Sequence, residues 1–330
     1  MDTMNHRITL AERPVGAVAE RCFARDDVPV VSPGAGEVLV EVAWLSIDPT
    51  IRGWMAYDSY LPAIEIGAPI RSVGLGTVVE SNNDAYPVGA TVLGMAGWQQ
   101  YAVLGAGIQV VRDGVSPEAA LSIFGITGIA AYFGLLDVGR PSAGETVLVS
   151  GAAGATGSVV GQIARIKGCR AVGLAGSTEK CAWLTDELGF DAAINYKTED
   201  VRRAIREACP DGVDVFFDNV GGDILEASIG NLALHGRIVL CGAISQYNDT
   251  TSRPGPSNLT LLIGKRGRME GFIVLDYMHR AGEAIGHLSD WVRDGTLTYR
   301  TDVVDDLDNA PAAFNRLFTG ANTGKVMVRL

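Results

Sequence analysis

An α/β fold, in which a parallel sheet wound by helices follows a β-rich first third, is the class this 330-residue sequence predicts. Two observations carry it. From Thr146 onward, apolar β-branched stretches alternate with helix-compatible ones, the β-α-β order from which parallel sheets are built. The first of those stretches, Thr146-Val-Leu-Val-Ser-Gly-Ala-Ala-Gly-Ala-Thr-Gly157, runs from a strand pattern through a small-residue turn into a helical segment over 158–167.

In the first third, Glu37-Val-Leu-Val-Glu-Val-Ala-Trp44 alternates as a half-buried strand should. Residues 76–80, 90–93 and 99–104 are further strand candidates, mostly flanked by Gly, Pro or Asn. In the second part the predicted strands are 146–150, 170–175, 192–194, 213–217, 237–241 and 269–274. Helices are expected between most of them, over 179–188, 199–208 and 223–234. The last segment, Lys325-Val-Met-Val-Arg-Leu330, reads as one more strand that returns to the first domain. Residues 119–136 carry no charge over 18 residues, which touches the length of a membrane span. With Gly125, Gly128, Gly134, Ser122 and Thr127 inside it, the segment is expected to be a buried helical one, and no membrane partner is expected.

Hydrophobic residues make up 47% and charged residues 20%, an ordinary globular balance. The net charge of −11 argues against a nucleic-acid surface. The compact basic group Lys265-Arg-Gly-Arg268 is too short to reverse that. Five cysteines, Cys22, Cys169, Cys181, Cys209 and Cys241, form no C-x-x-C pair and are odd in number. Free thiols and an N-terminus without an apolar signal core point to a reducing, cytoplasmic setting.

The glycine turn has a chemical reading. Gly151, Gly154 and Gly157 are spaced as in a dinucleotide-binding turn, where a pyrophosphate approaches a helix N-terminus that no side chain screens. The carboxyl ends of the predicted strands carry glycine at four of five places, Gly151, Gly176, Gly221-Gly222 and Gly242, which suits a long ligand along one sheet edge. An NAD-specific site usually carries Asp or Glu about 20 residues past the turn. Here the second strand ends in Gly176-Ser-Thr-Glu-Lys180, with no acid at its tip. Ser177, Thr178 and Lys180 suit a 2′-phosphate, so NADP is the expected cofactor; the same residues also read as a helix N-cap and a solvated charge pair.

These features, with several longer motifs, resemble the zinc-free medium-chain dehydrogenase/reductases of the prostaglandin reductase, leukotriene hydroxydehydrogenase and alkenal/one double-bond reductase group, bacterial curcumin reductase included. The resemblance spans nearly the full length. It is carried by Leu45-Ser-Ile-Asp-Pro49 with Arg52, Gly94-Met-Ala-Gly-Trp98, Ala131-Tyr-Phe-Gly-Leu135 and Ala152-Ala-Gly-Ala-Thr-Gly-Ser-Val-Val-Gly161. Phe217-Asp-Asn-Val-Gly-Gly222, Cys241-Gly-Ala-Ile-Ser-Gln-Tyr-Asn248 and Asn322-Thr-Gly-Lys325 complete it. It implies a GroES-like β-rich substrate domain over 1–120, completed by 300–330, and an NADP-binding, doubly wound Rossmann domain over 121–299. It also implies cofactor contacts at Gly154, Ala155, Thr156, Gly157, Lys180, Tyr196 and Asn219. Further contacts fall at Cys241, Gly242, Ala243, Ile244, Ser245, Gln246, Tyr247, Phe272, Ile273, Val274 and Asn322. Lys180 and Tyr196 would hold the 2′-phosphate. A homodimer, joined through the Rossmann sheet edge, is expected by the same resemblance.

No metal is expected. His6, His235, His279 and His287 are scattered, and the stretch where zinc-dependent relatives carry Gly-His-Glu reads Arg71-Ser-Val-Gly-Leu-Gly76. Without metal polarisation of a carbonyl, the chemistry expected is hydride addition to the β-carbon of an enone or enal, with hydroxyl donors stabilising the enolate. The tyrosine that some members of the family carry, assigned to proton donation, falls at Gly264, and the family Asp-Pro-Tyr appears as Asp48-Pro49-Thr50. Tyr60 and Tyr247 are the surviving phenols, with Tyr60 the named catalytic candidate against a packing role. Arg52 reads as a loop pin before a substrate ligand, and Trp44, Trp54, Trp98 and Tyr57 as core before pocket lining. A quinone oxidoreductase and a non-catalytic NADPH-binding protein are the competing functions.

Overall fold

A computed structural model describes residues 3–330. The chain divides into two units, one taking the chain up to Leu121 together with Thr301–Leu330, the other Ser122–Arg300.

The first unit opens with an antiparallel ribbon, β1 (Met4–Leu10) on β2 (Phe23–Pro29). Next come β3 (Val38–Ser46), the short α1 (Ile51–Ala56), β4 (Gly74–Ser81), β5 (Thr91–Gly94), β6 (Tyr101–Leu104), β7 (Gln109–Val110) and α2 (Pro117–Leu121). In β3 the side chains of Val38, Val40 and Val42 are buried while Glu41 and Ala43 are exposed, the alternation visible in the sequence.

The second unit runs α3 (Ile126–Phe133), β8 (Thr146–Val149), α4 (Ala155–Ile166), β9 (Arg170–Ala175), α5 (Thr178–Ala182), β10 (Ala192–Asn195) and α6 (Val201–Ala208). It continues β11 (Val213–Asp218), α7 (Gly222–Gly230), β12 (Leu232–Leu240), α8 (Leu261–Lys265), β13 (Arg268–Gly271) and α9 (Ala281–Arg293). The strand order is β10-β9-β8-β11-β12-β13 and every pairing is parallel. This is the doubly wound order, and its direction reverses between β8 and β11. Because successive side chains alternate, Leu148, Phe216 and Ile238 share one face with Ile205 of α6 and Ile224 of α7. Burying such side chains contributes roughly 1.5–3 kcal/mol each relative to exposure.

The chain then returns to the first unit through β14 (Thr301–Asp305), α10 (Ala310–Thr319) and β15 (Lys325–Arg329). The sheet there is ordered β14-β15-β3-β4-β5-β7, with β6 also on β3. Trp98, fully buried, stacks on Phe23 at 5.7 Å and meets Phe314 of α10 edge-on at 6.1 Å. The C-terminal strand and helix thus complete the core of the first unit.

Among the departures from the sequence pattern, three stand out. The helix expected over 223–234 ends at Gly230, and Leu232 already opens β12. Asn231 stops the helix by turning its amide back onto Ala227 O at 2.9 Å. The uncharged segment 119–136 is not one helix: α2 and α3 are separated at 122–125, and the chain after Phe133 widens into a π turn over Gly134–Gly139. No helix among the described residues is long and apolar enough to cross a membrane. The last sheet strand stops at Gly271, and Val274–Arg280 is a 3₁₀ helix.

Candidate functional site

The turn between β8 and α4 is shaped by backbone. Gly151 takes φ +58, a left-handed conformation that side chains rarely adopt. A Cβ on Gly157 would lie 2.4 Å from Gly151 O, so the first helical turn seats directly on the strand end. Gly154 is the N-cap of α4 and supplies no side-chain cap. The N–H groups of Ala155, Thr156 and Gly157, in the first turn of a 12-residue helix, therefore have no acceptor within the helix. An anionic group fits this end through backbone donors and the helix dipole.

Beside the turn, Ser150 and Asp218 close the crossover between β8 and β11. The Ser150 hydroxyl donates to Asp218 Oδ1 at 2.7 Å and accepts from the Asn219 N–H at 2.8 Å. Val220 and Gly221 also donate their N–H groups to Asp218 Oδ1, at 2.9 and 3.0 Å. Burial raises the Asp218 pKa, and these donors oppose the rise. Asn219 in turn donates through its amide to Ser150 O at 2.7 Å. The loop after β12 is stitched to the same place: Cys241 and Gly242 N–H reach Asp218 O at 2.9 and 3.0 Å, Ile244 N–H reaches Asn219 O, and the Ser245 hydroxyl reaches Val220 O at 2.6 Å.

Within that loop the Tyr247 hydroxyl accepts from the Ala243 N–H at 3.1 Å. Its phenol is thereby engaged in holding Cys241, Gly242, Ala243, Ile244, Ser245 and Gln246 in a closed turn. Burial pushes the Cys241 thiol up to about 12, so it stays protonated at neutral pH. Beyond β13, Phe272 meets Phe217 edge-on at 6.4 Å, and Ile273 and Val274 follow it, half-buried.

At the tip of β9, Ser177 caps α5 by accepting the Lys180 N–H at 3.2 Å, the N-cap that the sequence offered. A Cβ on Gly176 would meet the Tyr196 hydroxyl at 2.7 Å and the Lys197 stem at 3.2 Å. The strand tip has no room for an acidic side chain while those two stand over it. Burial raises the Tyr196 pKa, keeping the phenol neutral. Lys180 is half-buried on the adjoining helix and Lys197 is exposed. Lys197 is the residue that motif reading passed over; its only signal was its place directly after Tyr196.

In the first unit, Asn322 lies in the turn before β15 and donates to Gly324 O at 3.2 Å. Tyr60 is half-exposed; its hydroxyl lies 2.6 Å from Thr50 Oγ1, and its ring meets Trp54 edge-on at 6.1 Å. Arg52 is buried and donates to Gly16 O at 2.9 Å and Pro14 O at 3.3 Å, a loop pin. Trp98 and Trp54 are core, Trp44 is half-buried, and Tyr57 is exposed. Gly264 sits exposed on α8, with nothing within 4 Å of a Cβ built there. Among the described residues, no three His, Cys, Asp or Glu side chains group so as to hold a metal ion.

Comparison with known proteins bears on the whole chain. Residues 6–111 match the family model described as the N-terminal domain of oxidoreductase, and residues 155–290 match one described as zinc-binding dehydrogenase. The chain is 41% identical to the NADPH-dependent curcumin reductase of Escherichia coli K12, over 99% of this chain and 97% of that one. It is 41% identical to a 2-alkenal reductase (NADP(+)-dependent) of Nicotiana tabacum, over 90% of this chain and 88% of that one. The crystal structure of CurA from Vibrio vulnificus in complex with NADPH superposes with a TM-score of 0.94, at 40% identity and 98% coverage of both chains.

Proposed function

The chain belongs to the medium-chain dehydrogenase/reductases, in the group of the curcumin, prostaglandin and alkenal double-bond reductases, and from that membership we propose how its residues divide the reaction. The protein is an NADP-dependent oxidoreductase that reduces the C=C bond of α,β-unsaturated ketones or aldehydes. The observation that carries this reading is the sheet end of the second unit, where an uncapped helix start, an acid-free strand tip and a stitched crossover lie along one edge.

When bound, NADPH supplies the hydride that adds to the substrate's β-carbon. The N–H groups of Ala155, Thr156 and Gly157 hold the pyrophosphate, with Gly154 leaving their approach open. Lys180 and Tyr196 hold the 2′-phosphate, and Lys197 adds a second cation to that anion. Asn219, the loop from Cys241 to Tyr247, and Phe272 to Val274 bind the rest of the cofactor. We read the reaction as metal-free: among the described residues no three His, Cys, Asp or Glu side chains group to hold a metal that would polarise the carbonyl. The charge that collects on the carbonyl oxygen must then be met by hydroxyl donors. Tyr60, paired with Thr50, is the proposed donor, while Tyr247 holds its own loop by accepting the Ala243 N–H.

Two further expectations attach to the molecule. β13 is the end strand of its sheet, and Ile263 at 79%, Leu259 at 44% and Leu261 at 40% are exposed apolar side chains in the segment that leads into it, which favours a homodimer through that edge. Analytical ultracentrifugation tests it, and a single monomer peak at micromolar concentration rejects it. All five cysteines are free, which favours the reducing environment of the cytoplasm.

The decisive assay follows NADPH oxidation against enals, enones and quinones, with product analysis. Saturated carbonyl products from enones are expected. Tight NADPH binding without turnover sinks the reductase assignment, and turnover confined to quinones replaces it. A Tyr60→Phe variant with undiminished enone turnover removes Tyr60 from the reaction.

A further inference from the structure

Lys325 is 1% exposed, and its ammonium reaches two acceptors, Ile47 O at 3.0 Å and the Asp48 carboxylate. The second carboxylate oxygen of Asp48 takes the Ser46 hydroxyl. Backbone closes the same junction, since the Ile47 N–H donates to Val326 O at 3.1 Å. Charge at this depth is costly. Burial lowers the Lys325 pKa even though Asp48 opposes it. A buried ion pair of this kind commonly adds no stability over apolar side chains of the same volume. Stability alone is therefore a poor account of it, and geometry is a better one.

The geometry runs from the ion pair into α1. Asp48 O accepts the Ile51 N–H at 3.2 Å, and Pro49 O accepts the Arg52 N–H at 3.1 Å, so the Asp48 turn opens the helix. Thr50, the N-cap of that helix, lies within one turn of the carboxylate, and its hydroxyl is the one that meets Tyr60. The anchor at the other end is rigid: Lys325 begins β15, which pairs with both β14 and β3. We propose that the Lys325–Asp48 pair is a positioning device for the Thr50–Tyr60 hydroxyl pair, holding the turn 46–50 on β15 so that the phenol stands at one fixed place. The proposal rests on the reading of Tyr60 as the hydroxyl donor. Neither residue of the ion pair touches the reacting atoms; both act through Thr50.

The test uses Lys325→Met together with Asp48→Asn, which removes both charges with little change of volume and avoids leaving one charge buried alone. The thermal midpoint and NADPH affinity are expected to stay close to those of the parent protein. The turnover number with an enone is expected to fall about tenfold to a hundredfold. In a Tyr60→Phe background the same double change is expected to cost less than threefold, because the group it positions is already gone. An activity-independent readout comes from ¹⁹F NMR of protein labelled with 3-fluorotyrosine, with the Tyr60 signal assigned by its loss in Tyr60→Phe. That signal is expected to shift or broaden in the double variant. An unmoved Tyr60 resonance overturns the proposal whatever the assay gives. So does a loss of turnover equal in both backgrounds. Absence of enone turnover in the parent protein counts instead against the reductase reading, and the resonance then still decides the positioning claim.

Discussion

Ser150 and Asp218, both fully buried and 68 residues apart, share a hydrogen bond of 2.7 Å at the point where the parallel sheet reverses its winding. That contact ties the end of β8 to the end of β11, and the loops that the cofactor is proposed to touch hang from it. The Ser150 hydroxyl has no substitute, since it donates to one neighbour and accepts from the other. Ser150→Ala leaves the Asn219 N–H without its acceptor and is expected to lower unfolding stability by about 1–3 kcal/mol. Urea denaturation measures this, and titration of intrinsic fluorescence with NADPH should show several-fold weaker binding. Unchanged NADPH affinity at reduced stability would mean that the crossover supports the fold but does not shape the site.

Gly157→Ala probes the turn itself. The added methyl carbon would stand 2.4 Å from a backbone oxygen, and backbone cannot move aside as a flexible side chain can. The first turn of α4 must shift away from Gly151, carrying its N–H donors with it. NADPH binding is expected to weaken about tenfold or more, a loss of roughly 1.4 kcal/mol. Isothermal titration calorimetry checks it.

Gly264→Tyr restores the side chain that the family pattern places there. The site is exposed and open, so the variant is expected to fold like the parent. If the proton is delivered from this position in relatives, turnover with an enone should rise, since a positioned general acid contributes about 10²–10⁴-fold. Steady-state kinetics in parallel with Tyr60→Phe decide between the two phenols. A rise with Gly264→Tyr and no change with Tyr60→Phe moves the donor away from Tyr60.

His6 links the two ends of the first unit through Asp27 at 2.9 Å and Asp308 at 3.3 Å, and Arg25 joins Asp308 at 2.8 Å. The hydrogen bond that His6 donates to Asp27 raises the His6 pKa above its ordinary value, with Asp308 adding to the rise and desolvation opposing it. A group whose folded pKa is raised stabilises below the unfolded pKa, about 6.5, and loses that contribution as pH climbs through the folded value. Parent stability is thus expected to fall slightly as pH rises through the window just above 6.5, by no more than about 1 kcal/mol for so exposed a network. His6→Gln should flatten that slope, which thermal melts across the pH range will show.

Much of the second unit was legible before any coordinates. β9 lies at the boundaries expected for it, and the glycines from Gly151 to Gly157 form the tight turn between strand and helix that the pattern predicts. Misplaced boundaries fell where local composition was ambiguous. Leu232 to Leu234 are as compatible with a helix as with a strand, and it is the pairing of Leu232 with Val213 of β11 that opens the strand there.

The dinucleotide turn, the acid-free tip at Gly176 and the family motifs are local facts, and local facts survive in a linear pattern because neighbouring residues share φ preferences and side-chain volume. Contacts between distant residues leave no such trace. Asp218 beneath the crossover, Lys197 over Gly176 and Lys325 buried on Asp48, 277 residues away, depend on which strands pair and in what register. The residues proposed to bind the cofactor were therefore nameable in advance, while the residues that hold them in place emerged only when burial and hydrogen bonding joined separate parts of the chain.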